Sequence, residues 1–309
     1  MRTIVILNPA ARNGKAGRLQ ARIASMLTHA GLDVDVRVTP DAKATIHMAG
    51  TAATESDLVV AVGGDGTIHQ VANGVITAGT GAALGIIPLG TGNDFVKMLK
   101  IPLHLESAIK ILAKGKRKAV DYGTVVYQTK NDEQQRYFIN TLGVGFDAEV
   151  GHRATSFKVL PGFLAYLAAL LNTLQKLRHT EATVILDGPE QRLLYEGPLL
   201  LSSVGNGSTS GGLFKLTPHA MIDDGFLDAC AISRISVAKL LRSVPKVLRG
   251  SHTNMKEYHA GRAKKVIINV TDTDTFHGMP LHADGEILGL NVSRLEVELV
   301  AKGISVIVP

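Results

Sequence analysis

Three times in its first hundred residues this sequence repeats one pattern: a short apolar strand-forming run, a glycine-bearing loop, and a stretch with apolar residues at helical spacing. Residues 3–7 lead into Asn8-Pro9-Ala10-Ala11-Arg12-Asn13-Gly14-Lys15 and a helical stretch over 18–30. Residues 58–62 stop at Gly63-Gly64-Asp65-Gly66-Thr67, after which Ile68, Val71, Ala72, Val75 and Ile76 mark one helix face. Residues 83–88 run into Leu89-Gly90-Thr91-Gly92-Asn93-Asp94 and a helical 95–99. Strand, loop and helix in strict alternation predict a parallel α/β sheet. The loops then lie at the carboxyl ends of the strands, where such sheets bind ligands.

The loops are built for an anion. Glycine lets the backbone approach closely, and the first N–H groups of a helix point at the ligand. A carboxylate among them would repel a phosphate, so Asp65 is expected to face solvent beside a cation such as Mg²⁺ or a hydroxyl it orients. The dinucleotide pattern fails because His69 stands where a glycine is required. A P-loop fails because Pro9 replaces its first glycine and Ala16 its Ser or Thr.

At 309 residues the chain has room for two domains. Cys230 is its one cysteine, which excludes a disulfide framework and a cysteine-based zinc site. Met1-Arg2-Thr3-Ile4 enters a strand directly and resembles no signal peptide. The longest apolar run, 162–171, is half the length of a spanning helix. A cytoplasmic location is therefore expected. A net charge of +6 favours an anionic partner, whereas absent tryptophan and few aromatics argue against base stacking, so no nucleic-acid partner is expected.

Residues 1–120 form the α/β part, including a half-exposed strand over 33–39. A helix over 105–113 ends in Lys114-Gly115-Lys116-Arg117-Lys118, expected as a solvated helix end. Residues 121–299 read as a β-rich domain, a sandwich, with strands over 120–128, 136–142, 183–187, 199–204, 226–232, 266–270 and 295–299. Helices are expected over 163–177 and 237–248. The terminal 300–309 can return to the first domain. The apolar stretch 163–171, flanked by Lys158, Lys176 and Arg178, reads as a core helix or as a lip that meets lipid.

Two acidic motifs mark the second half: residues 221–228, with Asp223-Asp224-Gly225, and 282–287, with Asp284-Gly285-Glu286. Each is also an ordinary turn signal. A kinase acting on an alcohol needs a phosphate cradle, Mg²⁺ and a carboxylate for the hydroxyl proton. Asp65, Asp94, Asp284 and Glu286 are the candidates for the carboxylate. His277 and His282 are expected at the surface.

Taken in order, these motifs, with residues 140–147 and Gly205-Asn206-Gly207, resemble the diacylglycerol kinase catalytic domain superfamily, and in particular bacterial soluble lipid kinases related to sphingosine and ceramide kinases. The resemblance covers nearly the whole chain. It implies an N-terminal nucleotide domain like that of NAD kinase and phosphofructokinase, a C-terminal β-sandwich, and an active site between them. It implies ATP near Asn8, Pro9, Ala10, Ala11, Arg12, Thr39, Gly64, Asp65, Gly66, Thr67, Ile68, His69, Gln70 and Thr91, with Asp65 and Asp94 shaping the Mg²⁺–phosphate site. A structural Mg²⁺ would sit on the Asp224 side chain and the backbone oxygens of Met221 and Phe226. Asp284 or Glu286 would take the proton. The partner implied is a lipid at an anionic membrane surface, met peripherally; the oligomeric state stays open, a homodimer included. Ala11-Arg12 and His69-Gln70 depart from the usual pattern. An NAD kinase-like enzyme with a soluble alcohol substrate is the alternative, and a non-catalytic sensing module the third reading.

Overall fold

The structure is a computed structural model that describes residues 1–12, 14–129, 132–154, 156, 162–174, 177, 179–188, 191–271 and 278–309. Asn13, Lys158, Lys176, Arg178 and His277 lie outside the described residues. The chain divides into two units, residues 1–122 with 301–309, and residues 123–300.

In the first unit the elements run β1 (Arg2–Leu7), α1 (Lys15–Arg18), α2 (Gln20–His29), β2 (Asp33–Val38), α3 (Ala42–Glu55), β3 (Leu58–Gly63), α4 (Asp65–Ala78), β4 (Ala83–Pro88), α5 (Asp94–Met98) and α6 (Leu105–Lys114). The strands pair in parallel in the order β2-β1-β3-β4. Beyond β4, Val306 pairs in parallel with Leu84, so the C-terminal residues supply a fifth strand. Because side chains alternate along a strand, each strand feeds two cores. Val5, Leu7, Val60 and Val62 pack with Ile23 and Leu27 of α2 and Ile109 and Leu112 of α6. α3 and α4 pack on each other and reach the sheet through β1 and β3. Their contact depends on small residues: a Cβ on Gly74 would sit 2.7 Å from Ala49 Cβ and would also collide with the Ile46 carbonyl.

In the second unit, β5 (Lys116–Thr129) crosses the division and is followed by β6 (Glu133–Phe138), β7 (Thr141–Gly145), α7 (Phe146–Ala154), α8 (Gly162–Leu174), β8 (Thr180–Asp187), β9 (Arg192–Gly205), β10 (Leu227–Ser233), α9 (Val237–Arg249), β11 (Tyr258–Ala263), β12 (Lys265–Val270), β13 (Met279–Ala283) and β14 (Glu286–Val308). Two long strands change partners along their length. β9 pairs with β8 through its first half and with β7 and β10 through its second. β14 pairs with β13 and then with β12. With β8 on β12 and β7 on β13, the pairings close into a ring, so the two layers are joined at their edges. Val125, Phe138, Leu142, Val184, Val204, Leu227, Ile268, Leu281 and Leu295 fill the space between the layers. Each such side chain contributes about 1.5–3 kcal/mol on leaving water. α7, α8 and α9 share a smaller core around Phe146, Val150, Leu170, Leu200 and Ile232.

Several expectations change. Of the basic run at 114–118, only Lys114 closes a helix; Gly115 is extended, and Lys116, Arg117 and Lys118 open β5. The strand expected over 136–142 is two strands, because residues 139 and 140 turn their N–H groups to a side chain. α3, α7, β11 and β13 are additional elements. In the helix expected over 163–177, Ala169 and Leu170 are core and Leu171 is exposed, whereas the side chains at 163–167 lie outside the description. No described helix is long and apolar enough to cross a membrane.

Gly74→Ala should lower stability by about 1–3 kcal/mol through overpacking. A urea melt checks this; an unchanged midpoint would mean that α3 and α4 are not held at this distance.

Candidate active site

β3 ends at Gly63, Gly64 caps α4, and Asp65 is the first helical residue. Asp65 is half-buried, and both its oxygens accept backbone N–H bonds: Oδ2 from Asn93 and Oδ1 from Asp94, each at 2.7 Å. These are the N-cap and first residue of α5. A carboxylate at a helix N-terminus is stabilised by the donors and the helix dipole together. Asp65 therefore ties the start of α4 to the start of α5 instead of projecting into solvent as expected. The glycines have the same cause. A Cβ on Gly90 would stand 2.5 Å from Gly64 Cα, and one on Gly63 would collide with Thr67. The loops after β3 and β4 touch through bare backbone.

Asn8 holds the third loop to this pair. Its Nδ2 donates to Thr67 Oγ1 (3.1 Å), and its Oδ1 accepts from Ala10 N–H (3.0 Å). Pro9 and Ala11 are half-buried; Ala10 and Arg12 are exposed, Arg12 in the left-handed region at φ 54°. The first N–H bonded within α4 is that of Ile68, to Gly64 O (3.0 Å). Asp65, Gly66 and Thr67 thus carry the N–H groups outside the helical ladder. Ile68, His69 and Gln70 are buried along α4. Thr91 is exposed and Asp94 buried, its carboxylate 3.4 Å from Lys97 Nζ. Thr39 is 2% exposed; its hydroxyl donates to Asp41 O (2.9 Å) and meets Thr45 Oγ1 at 2.7 Å, so it serves the start of α3.

In the second unit Asp284 and Glu286 separate into different roles. Asp284 occupies the β13–β14 turn at φ 50°. Its Oδ2 accepts from Ile139 N–H (3.0 Å), and its Oδ1 from Asn140 and Thr141 N–H (both 2.9 Å). The same link is gripped from a third place: Asn206 and Gly207 N–H donate to Asn140 O, and Asn206 Nδ2 donates to Ile139 O. Three of the roughly four lone-pair positions of the Asp284 carboxylate are thus taken. The half-buried Glu286 side chain accepts no hydrogen bond from the described residues. His282, expected at the surface, is 5% exposed, with its Nε2 3.2 Å from Oδ2 of the buried Asp147. Each residue lies in a motif read from the sequence, but their pairing does not show there, because it spans 135 positions and has no local signal.

The Asp223-Asp224-Gly225 turn precedes β10. Asp224 Oδ1 accepts Phe226 N–H (3.1 Å), and Oδ2 is ion-paired with the Arg262 guanidinium. Arg262 faces Asp228 across the β10–β11 ladder, with Nε 3.3 Å from Asp228 Oδ2, and lies 4.8 Å from the Phe226 ring centroid. Burial pushes the Asp228 carboxyl up, and Arg262 opposes the shift. This arrangement does not fit the structural Mg²⁺ expected on Met221, Asp224 and Phe226, because a guanidinium already neutralises the carboxylate that would bind the ion. Among the described residues no three His, Cys, Asp or Glu side chains form a metal cage. Asp65 and Asp94 are the carboxylates expected at an ion that arrives with a nucleotide; Asp65 accepts the Asp94 N–H, and Asp94 pairs with Lys97. They are adjacent hard oxygen donors, and Mg²⁺ in such sites takes one or two carboxylates plus phosphate.

Residues 2–125 match the family of the diacylglycerol kinase catalytic domain, and residues 140–308 match the YegS C-terminal NAD kinase beta sandwich-like domain. The chain is 32% identical to the diacylglycerol kinase of Bacillus subtilis (strain 168), over 94% of this chain and 91% of the relative. It is 31% identical to the diacylglycerol kinase of Mycobacterium tuberculosis (strain ATCC 25618 / H37Rv), over 91% and 87%. A solved structure described as a diacylglycerol kinase from Bacillus anthracis str. Sterne superposes with a TM-score of 0.73 at 23% identity, covering 100% of this chain and 97% of that one. Yeast NADH kinase in complex with NADH shares the fold more distantly, with a TM-score of 0.53 at 14% identity over 99% and 82%.

Asp284→Ala should cost about 2–4 kcal/mol, because three backbone N–H groups lose a charged acceptor. Glu286→Ala should leave the unfolding midpoint in place; equal midpoints for the two variants would remove the distinction. Without nucleotide, Mg²⁺ should not raise the thermal midpoint of the wild type. Arg262→Gln should make it Mg²⁺-responsive, and a Mg²⁺-stabilised wild type would restore the metal site.

Proposed function

The chain belongs to the diacylglycerol kinase family, and from that premise we propose that it transfers the γ-phosphate of ATP, with Mg²⁺, to the hydroxyl of diacylglycerol or a related lipid. The observation that carries the mechanism is the division of labour in the Asp-Gly-Glu turn. Asp284 is bound up with backbone donors, and Glu286, two residues on, keeps its lone pairs. Glu286 takes the proton of the lipid hydroxyl as its oxygen bonds to the γ-phosphorus and the bond to the β-phosphate oxygen breaks. General-base transfer of this kind is worth about 10²–10⁴ in rate.

The first unit binds the nucleotide. The end of α4 at residues 65–67 receives phosphate oxygens, as helix N-termini do. Asn8 fixes the β1 loop against Thr67, which brings the exposed Arg12 and the Pro9–Ala10–Ala11 turn to the same end of the sheet. Gly64 and Thr91 border this region. Ile68, His69, Gln70 and Thr39 act from behind, as the packing that sets the α4 end and the loop after β2. Mg²⁺, when bound with ATP on Asp65 and Asp94, would supply charge neutralisation on the phosphates.

A lipid substrate requires a membrane surface. α9 exposes Arg242, Lys246 and Arg249, with Val237 and Leu241 beside them. Basic and apolar groups on one helix suit an anionic bilayer surface. Identity near 30% along the chain to diacylglycerol kinases favours the lipid over a soluble alcohol.

The test is label transfer from γ-labelled ATP to mixed micelles of diacylglycerol, monoacylglycerol, sphingosine, ceramide or phosphatidylglycerol. Organic-phase label with diacylglycerol, lowered about 10²-fold or more in Glu286→Gln, is the expected outcome. Label that stays in water with every lipid would sink the proposal in favour of a soluble alcohol. Asp65→Ala should lose turnover and some stability together, because it releases the start of α5.

A further inference from the structure

We infer that His282, oriented by Asp147, is a positioning residue that sets the peptide in front of Glu286. The inference rests on the reading of Glu286 as proton acceptor and adds two residues that no motif assigns to the reaction.

The geometry fixes the state of the imidazole. Gly285 N–H can only donate, and it is directed at His282 Nδ1 (3.3 Å). Nδ1 is therefore the acceptor and carries no proton. The ring proton sits on Nε2, which donates to Asp147 Oδ2 (3.2 Å). Asp147 is held in turn, because its Oδ1 accepts Ala148 N–H (2.9 Å) at the start of α7. The chain of contacts runs from α7 through the carboxylate and the imidazole to the backbone N–H of Gly285, the residue before Glu286.

The surroundings are shaped for this pair. Asp147 is 8% exposed and His282 5%, so water competes little for either bond. His282 faces Gly143 directly across the β13–β7 ladder. A Cβ on Gly143 would collide with both Asp147 Oδ2 and His282 Nε2, so the strand opposite is bare where the pair meets. Asp284 anchors one side of the turn to residues 139–141, and His282 anchors the other side through Gly285. Glu286 follows this doubly held turn as the first residue of β14.

An imidazole with the wrong tautomer would place an N–H against the Gly285 N–H. Asp147→Asn permits that state, because an amide can donate to Nε2 and leave the proton on Nδ1. Replacing an orienting carboxylate by its amide acts this way in Ser-His-Asp enzymes. Asp147→Asn should lower kcat about 10- to 100-fold, as small misplacements of a reacting group do, with KM for ATP unchanged. ¹⁵N-histidine NMR should show the His282 proton on Nε2 in the wild type and on Nδ1 in Asp147→Asn. The two conservative replacements of His282 should also separate. His282→Asn offers an oxygen near the Nδ1 position and keeps the Gly285 bond. His282→Gln reaches Asp147 but offers Gly285 no acceptor. Turnover should be higher in the Asn variant, whereas a side chain that only filled space would favour Gln, the closer match in volume. If either His282 variant fails to fold, the nearly isosteric Asp147→Asn carries the test. A wild-type spectrum with the proton on Nδ1, or wild-type kcat in Asp147→Asn while Glu286→Gln is inactive, would overturn the positioning role alone. Full turnover in Glu286→Gln would instead remove the proton-acceptor reading, and this role with it.

Discussion

A carboxylate that accepts main-chain N–H bonds organises each half of this protein. In the first unit it is Asp65, whose two oxygens hold the first turn of α5. In the second it is Asp284, whose two oxygens hold three successive residues where β6 gives way to β7. Loops have no ladder to satisfy their backbone groups, so a buried loop needs acceptors from side chains. A charged acceptor makes stronger bonds than a neutral one. Both aspartates stand in the Gly-Asp-Gly or Asp-Gly-Glu runs that look most like ligand sites. Their first task is to give neighbouring groups a fixed place.

The parallel sheet was legible because its strands are buried on both faces and read as continuous apolar runs, 58–62 and 83–88 above all. The loops were legible as the ends of those runs. What each loop residue does was less so. Asp65 read as a residue reaching for a ligand because the sequence does not show that Asn93 and Asp94 present N–H groups 28 and 29 positions away. Gly64 and Gly90 read as anion-cradling glycines because their approach to each other is a tertiary fact. Thr39 and His69 are polar in sequence but buried in place.

The second unit was legible as β-rich but not in its connections. Residues 136–142 read as one strand because Tyr137, Phe138 and Ile139 are strand formers. The break at 139–140 is imposed by Asp284 from far along the chain. β11 escaped notice because Tyr258-His259-Ala260-Gly261-Arg262-Ala263 has little apolar alternation; its edge position tolerates that. Of β14 only 295–299 reads as a strand, because Lys302 and Gly303 interrupt the pattern beyond it. Arg262 changed the meaning of the Asp-Asp-Gly turn. An acidic cluster in sequence says nothing of the cation that the next strand brings to it.

The approach of Gly64 to Gly90 has a consequence for how this chain can drift. The loops after β3 and β4 press backbone against backbone, with Gly90 admitting no side chain at 2.5 Å from its neighbour. Neither loop can lengthen, shorten or gain bulk at that point unless the other yields. They are heritable as a pair. A change of nucleotide preference would more readily come from the β1 loop, where Ala10 and Arg12 stand exposed and Gly14 has open space around it. Variation among descendants of this sequence should collect there, while the Gly-Gly-Asp-Gly and Gly-Thr-Gly-Asn-Asp runs stay fixed together.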